Sequence, residues 1–180
     1  MVVRKALDTK TFGLDQSSLI FSNSIDGWSD YEHLELSFNI RGTRTNSSTY
    51  TEIRFNGDTG SNYSTRRIHA SGSNLYGQSA ASEAYMFLNK NQTVAGDTAD
   101  SSVYSYGRLT IYDYLHANKN TTISEDWSTL LGDLSYGHCD RVTGVWDNTA
   151  ALTTIVIEET QGSYNVKRES TVTLYGIKSS

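Results

Sequence analysis

From Ser17 onward the chain alternates apolar and polar residues with a period of two. Leu34, Leu36, Phe38 and Ile40 alternate with His33, Glu35, Ser37, Asn39 and Arg41. That is the pattern of an antiparallel strand with its even positions in a core and its odd positions in water. Thr51, Ile53 and Phe55 alternate in the same way with Glu52, Arg54 and Asn56. This second strand ends at Asn56-Gly57, a pair that accepts the positive φ angles of a tight hairpin. Residues 63–70 are its expected partner. Residues 71–82 are a looser stretch of Gly, Ser and Ala, 84–88 a short apolar strand, and 89–102 a polar loop. Residues 103–115 resume the alternation. Leu109, Ile111 and Asp113 fall on one side, and Arg108, Thr110, Tyr112 and Tyr114 on the other. Residues 123–140 hold one or two strands around Trp127 and Leu130-Leu131. Shorter strands follow at 142–146 and 152–157. After Gly162-Ser163, Val172, Leu174 and Gly176 set the period of the last strand.

This gives about eight to ten strands at 8–15-residue spacing, with Gly, Asn, Asp and Ser turns between them. No amphipathic helix is apparent. The expected fold class is all-β, an antiparallel β-sandwich of jelly-roll type, forming one domain over residues 17–180. The chain contains no proline, which suits ladders that need every backbone donor. Residues 1–16 carry mixed charge, no apolar stretch of a secretion signal and no clean period. They read as an extended N-terminal arm, docked on the body or on a neighbour, or else frayed.

Composition narrows the function. Ser numbers 24, Thr 21 and Tyr 12, while charged residues make up only 19%. A formal charge of −5 argues against a nucleic-acid partner. No apolar run reaches the roughly 18–20 residues of a membrane helix, so no membrane insertion is expected. The single Cys excludes an internal disulfide and a multi-Cys zinc module.

Candidate chemistry is sparse. His33, His69, His116 and His138 fall at no metal-ligand spacing, and His33 and His69 read as parts of solvated strand faces. His138-Cys139-Asp140 suggests a nucleophile cluster, but neighbours on an extended chain point to opposite faces, and a structural Cys is the simpler reading. Asn56-Gly57-Asp58-Thr59-Gly60-Ser61-Asn62 supplies oxygen ligands, yet Arg67 stands where a calcium loop needs Glu, so it reads as a turn. Sequons at Asn46, Asn62, Asn91 and Asn120 are expected by chance in a chain this rich in Asn, Ser and Thr. No hydrolase elbow, phosphate loop or zinc-protease motif occurs. The reading assigns no catalytic, cofactor-binding or metal residue. Tyr104, Tyr106, Tyr112 and Tyr114 can form period-two rows, which either complete sheet packing or present stacking surfaces for partners and sugars.

Two segments carry a resemblance: Arg54-Phe55-Asn56-Gly57-Asp58-Thr59-Gly60-Ser61-Asn62-Tyr63-Ser64 and the late Thr173-Leu174-Tyr175-Gly176-Ile177. Between them come Gly144-Val145-Trp146-Asp147 and Ala150-Ala151-Leu152-Thr153-Thr154-Ile155. In this order they resemble small virion structural proteins and tail-fibre head domains of tailed bacteriophages, over most of the chain from about Ser17 to Ile177. The stretch 126–140 fits that pattern less well. The resemblance implies a jelly-roll β-sandwich without catalysis or cofactor. It implies a capsid decoration or cement protein on the virion, assembled in the host cytoplasm as a symmetric oligomer, such as a trimer, and bound to the major capsid protein. The alternative is a tail or fibre head that binds a host-surface glycan.

Overall fold

The computed structural model describes residues 2–43, 48–49, 51–87, 94–97, 99, 101–131, 136–159 and 165–179. Its strands are, in chain order, β1 (Val2–Thr11), β2 (Ser18–Ser22), β3 (His33–Ile40), β4 (Ser48–Thr49), β5 (Thr51–Phe55), β6 (Tyr63–Ser71) and β7 (Asn74–Glu83). They continue with β8 (Met86–Phe87), β9 (Val94–Ala95), β10 (Ser105–Tyr112), β11 (Thr121–Leu131), β12 (Tyr136–Trp146), β13 (Thr154–Glu159) and β14 (Thr171–Ser179). One helical turn, α1 (Asn23–Asp26), follows β2 and closes at Gly27, whose φ of 61° glycine adopts without the steric cost of a Cβ.

The strands form an antiparallel β-sandwich. Its eight-stranded sheet has the order β1-β14-β3-β10-β11-β12-β6-β7, and its four-stranded sheet the order β2-β13-β5-β8. The chain crosses between the two sheets at β1-β2, β2-β3, β5-β6, β7-β8, β12-β13 and β13-β14, while β6-β7 and β10-β11-β12 are hairpins within the larger sheet, an arrangement compatible with a jelly roll. A two-stranded piece, β4-β9, pairs with neither sheet but packs on the body, with Val94 in the core. The segment expected as an arm lies along β14, with Val2 opposite Ser179 and Thr11 opposite Thr171.

Alternation decides the core. Leu34, Leu36, Phe38 and Ile40 are all buried, and in register they meet Leu109, Ile111, Val172 and Leu174 on the flanking strands. Ile53, Phe55, Ile155, Ile157, Leu19 and Phe21 close over them from the smaller sheet. Burying each such side chain contributes roughly 1.5–3 kcal/mol before entropy is set against it. Trp28, Trp127 and Trp146 are all buried here. Gly107 makes room for Trp127, since a Cβ there would sit 1.8 Å from the indole Cε3.

Several sequence expectations give way to the tertiary structure. Residues 71–82 are no loop; most of them are β7, an edge strand whose exposed positions leave no apolar alternation to read. The strand around Leu109 stops at Tyr112, because Asp113 takes φ 56° and turns the chain, so Tyr114 leaves the sheet. Its buried hydroxyl instead lies 2.7 and 2.5 Å from the carbonyl oxygens of Trp28 and Tyr31. Glu52, expected in water, is buried beside Arg54 on β5. Glu35 is also buried: Arg4 crosses the Tyr175 ring at 3.4 Å and reaches its carboxylate at 2.5 Å. The sequons at Asn46 and Asn91 and the Gly162-Ser163 turn lie outside the described residues.

Candidate functional site

The FNGD segment is a structural junction. Asn56 (φ 54°) and Gly57 (φ 66°) form the tight turn, closed by the Asp58 N–H donating to the Phe55 carbonyl at 2.9 Å. The Asn56 Oδ1 accepts from the backbone N–H groups of Thr153 (2.7 Å) and Thr154 (3.1 Å), while its Nδ2 donates to the Ala151 carbonyl. Asp58 accepts from the Gly60 N–H through Oδ1, and from the Asn62 amide and the Trp146 indole through Oδ2. These bonds hold its carboxyl below the usual range, against the desolvation that pushes it up. Asp58 Oδ1 therefore braces the turn itself, Oδ2 ties it to β12, and Asn56 ties it to the segment that leads into β13. Three of the four stretches quoted for the resemblance, 54–64, 144–147 and 150–155, are joined here, which accounts for their spacing by folding rather than by chemistry; 173–177 lies apart, on β14.

Successive residues of β6, β10, β11 and β12 send one set of side chains toward the smaller sheet and the other outward. On the outer face, the register sets Arg108 beside Asp126, Asp126 beside Arg141, and Arg141 beside Ile68. The next row runs Tyr106, Ser128, Cys139, Ala70 and Leu75. Arg66 lies one step along β6 from this ladder, on the same face. Arg108 and Arg141 reach Asp126 at 3.8 and 3.7 Å, a spacing that leaves both guanidinium groups open to water and to a ligand. Tyr106 and Ile68 are 54% and 59% exposed. Two open depressions of about 470 and 560 Å³ adjoin along this face and share Ile68 and Arg141 in their walls.

The inner face at the same end of the sheet is polar, and it is buried except at the β7 edge. Glu125, Val142, Arg67 and Gln78 form one row, and Trp127, Asp140, His69 and Tyr76 the next. The Arg67 Nε donates to Asp140 Oδ1 at 2.6 Å, with both side chains removed from solvent. His69 stacks on Tyr76 with ring centroids 4.8 Å apart. Glu125 is wholly buried, neither of its oxygens has a hydrogen-bond partner among the described residues, and burial followed by the field of Asp140 pushes its carboxyl well up. Burial and the Arg67 charge lower His69; for His138, burial is again the largest cause.

The sequence candidates are thus redistributed. His69, expected in water, is buried, because β6 turns its odd positions inward. His138 and Cys139 do face opposite ways; Cys139 is exposed on the outer face rather than a packed core thiol. No group of three metal-ligating side chains occurs among the described residues. Tyr106 and Tyr112 share the outer face, and Tyr112 packs edge-on to His33 at 5.0 Å. The Arg108-Asp126-Arg141 ladder was not visible in the sequence, since its members lie on separate strands. Alternation within each strand places every member outward, but only the strand order brings them together. No helix among the described residues is long and apolar enough to cross a membrane.

No protein-family model matches the chain, and no curated protein does. Among solved structures, the chain is similar to a mutant of the alginate lyase Aly36B in complex with an alginate tetrasaccharide. The identity is 10% and the TM-score 0.27, over 93% of this chain and 80% of that one. It is also similar to a botulinum neurotoxin type C structure concerned with binding two ganglioside molecules, at 14% identity and a TM-score of 0.31. There it covers 98% of its own length and spans 42% of the neurotoxin chain. A legume lectin-like domain from Entamoeba histolytica matches at 9% identity and a TM-score of 0.28, over 99% and 90% of the two chains. At these scores the likenesses assign neither a function nor a residue role.

Proposed function

We propose that this is a non-enzymatic recognition domain of a virion particle that binds an anionic glycan on the outer face of its eight-stranded sheet. The observation that carries the reading is the ladder Arg108-Asp126-Arg141 with Arg66 and Tyr106 beside it, in an open trough. Three guanidinium groups against one carboxylate make this face cationic on a chain of net charge −5. Guanidinium forks suit carboxylate and sulfate oxygens, and a tyrosine ring suits the apolar face of a sugar. Glycoside hydrolysis needs a pair of free carboxyl groups flanking the bond. On β3, β10, β11, β12 and β6 the outer carboxylates are Glu35 and Asp126, and each is engaged by arginine.

Calorimetric titration of the purified chain tests this, with an acidic polysaccharide and a neutral one of similar length. Binding of the acidic polymer alone is expected, weakened at least about tenfold by Arg141→Ala or Tyr106→Ala and reduced by salt. Absence of binding to the acidic polymer overturns the reading. The virion setting and the capsid-decoration role rest on the sequence resemblance. They are tested by copy number: hundreds per particle support decoration, and a few dozen or fewer support a tail or fibre site.

A further inference from the structure

The two edges of the eight-stranded sheet are unlike. β1 is studded with Arg4, Lys5, Asp8 and Lys10 and carries a bulge between Ala6 and Asp8. Those are the devices by which an exposed edge is kept from pairing with another chain. β7, the opposite edge, has none of them along most of its length. Its sequence from Asn74 to Ser82 contains no charge, and its pairing with β6 runs unbroken from Asn74 to Ala80. The irregularity comes only at its far end, where Ser82 takes φ 57°. Leu75 and Tyr76 are 74% and 45% exposed, and Ile68 lies next to this edge at 59%.

We infer that β7 is a homodimer edge, pairing antiparallel with β7 of a second copy to make one continuous sheet of sixteen strands, twice the eight of one chain. This inference is independent of the glycan reading. Three features select a second copy over other occupants. Antiparallel pairing of a strand with itself is a closed two-fold operation, so it stops at two copies. The facing residues are small or neutral: a two-fold through Gly77, the midpoint of the unbroken stretch, sets Leu75 against Ser79 of the other copy and Gly77 against itself. No like charges then meet across the axis, whereas β1 against β1 would oppose cations. Self-pairing also covers the outer backbone edge of Asn74–Ala80, which meets no further strand among the described residues, and shields Leu75. The two outer troughs then lie side by side on one extended surface.

Sedimentation of the full chain tests this, because a Cβ at Gly77 meets no atom within 4 Å and the position tolerates substitution within the monomer. The wild type is expected at twice its 20.0 kDa chain mass. Gly77→Lys is expected at the chain mass, with unchanged circular dichroism and melting. In a Cys139→Ser background, Gly77→Cys is expected to oxidise to one covalent dimer, since opposed strand residues fall within disulfide reach. A monomeric wild type overturns the proposal, as does a Gly77→Lys chain that stays dimeric. So does open-ended growth with concentration, which would mean β7 pairing with β1 of the next copy. If Gly77→Lys loses its native melting, Leu75→Lys and the cysteine crosslink decide.

Discussion

Asp140 and Arg141 are neighbours in sequence and inhabit different media. Asp140 points inward, its side chain fully out of solvent and gripped by Arg67; Arg141 points outward, with its side chain 69% exposed beside Asp126. Both belong to arginine–aspartate pairs that share β12, the inner one reaching β6 and the outer one β11. The inner pair is costly to assemble and costlier to break, because a charge left alone in the interior has no water to turn to. The outer pair is screened and long, and contributes little to stability. The same chemistry therefore serves as a structural clamp on one face and remains free for a partner on the other.

The largest effect expected is on the inner face. Arg67→Ala leaves Asp140 buried and unpaired and is expected to destabilise by about 3–5 kcal/mol in urea melts. Replacing both partners together, Arg67→Met with Asp140→Leu, is expected to recover most of that loss; if it does not, the clamp has a role beyond charge balance. Next comes Glu125. Its carboxyl is raised, so the stability it allows is full below its unfolded pKa and falls as pH rises through the folded one. Glu125→Gln is accordingly expected to stabilise more at pH 8 than at pH 5, and equal gains at both would contradict a neutral buried carboxyl. Glu52, pushed up to about 7 mainly by burial, repeats this on a smaller scale, with its loss falling between about pH 4.5 and 7. Glu52→Gln is expected to flatten the thermal midpoint across that window. The smallest effect on stability is expected outside: Arg141→Ala should change it by no more than about 0.5 kcal/mol while weakening acidic-glycan binding. A large loss of stability would show the outer ladder to be structural.

The sandwich was legible in the sequence where one strand face is dry and the other wet. Leu34 to Ile40 and Val172 to Gly176 were read with the correct faces for that reason. β7 was missed because an edge strand with both faces exposed has no apolar period to detect. The inner polar cluster was also missed. Arg67, His69 and Asp140 occupy inward positions that alternation normally gives to apolar residues, which is why His69 reads as solvated and no pattern in the sequence marks the other two. The outer ladder depends on which strands are neighbours, and no local signal in a chain specifies that. The FNGD segment is a turn, as its residues indicate, but the hairpin expected between residues 51–55 and 63–70 does not form: β5 pairs with β13 and β8 in the smaller sheet and β6 with β12 and β7 in the larger, so the turn passes the chain from one sheet to the other. Its bonds to Trp146 and Thr153 span about ninety positions and lie beyond any motif.

The position of β3 between β10 and β14 bears on how the chain reaches this state. Its apolar row is made early in synthesis, yet both strands that pair with it come much later. Pairing of such distant segments is slow, because loop-closure entropy is lost before any contact compensates it. With no proline in the chain, no prolyl isomerisation adds a second delay. Refolding from denaturant should therefore run without the tens-of-seconds phase that prolyl isomerases accelerate, and its rate should be set by topology alone.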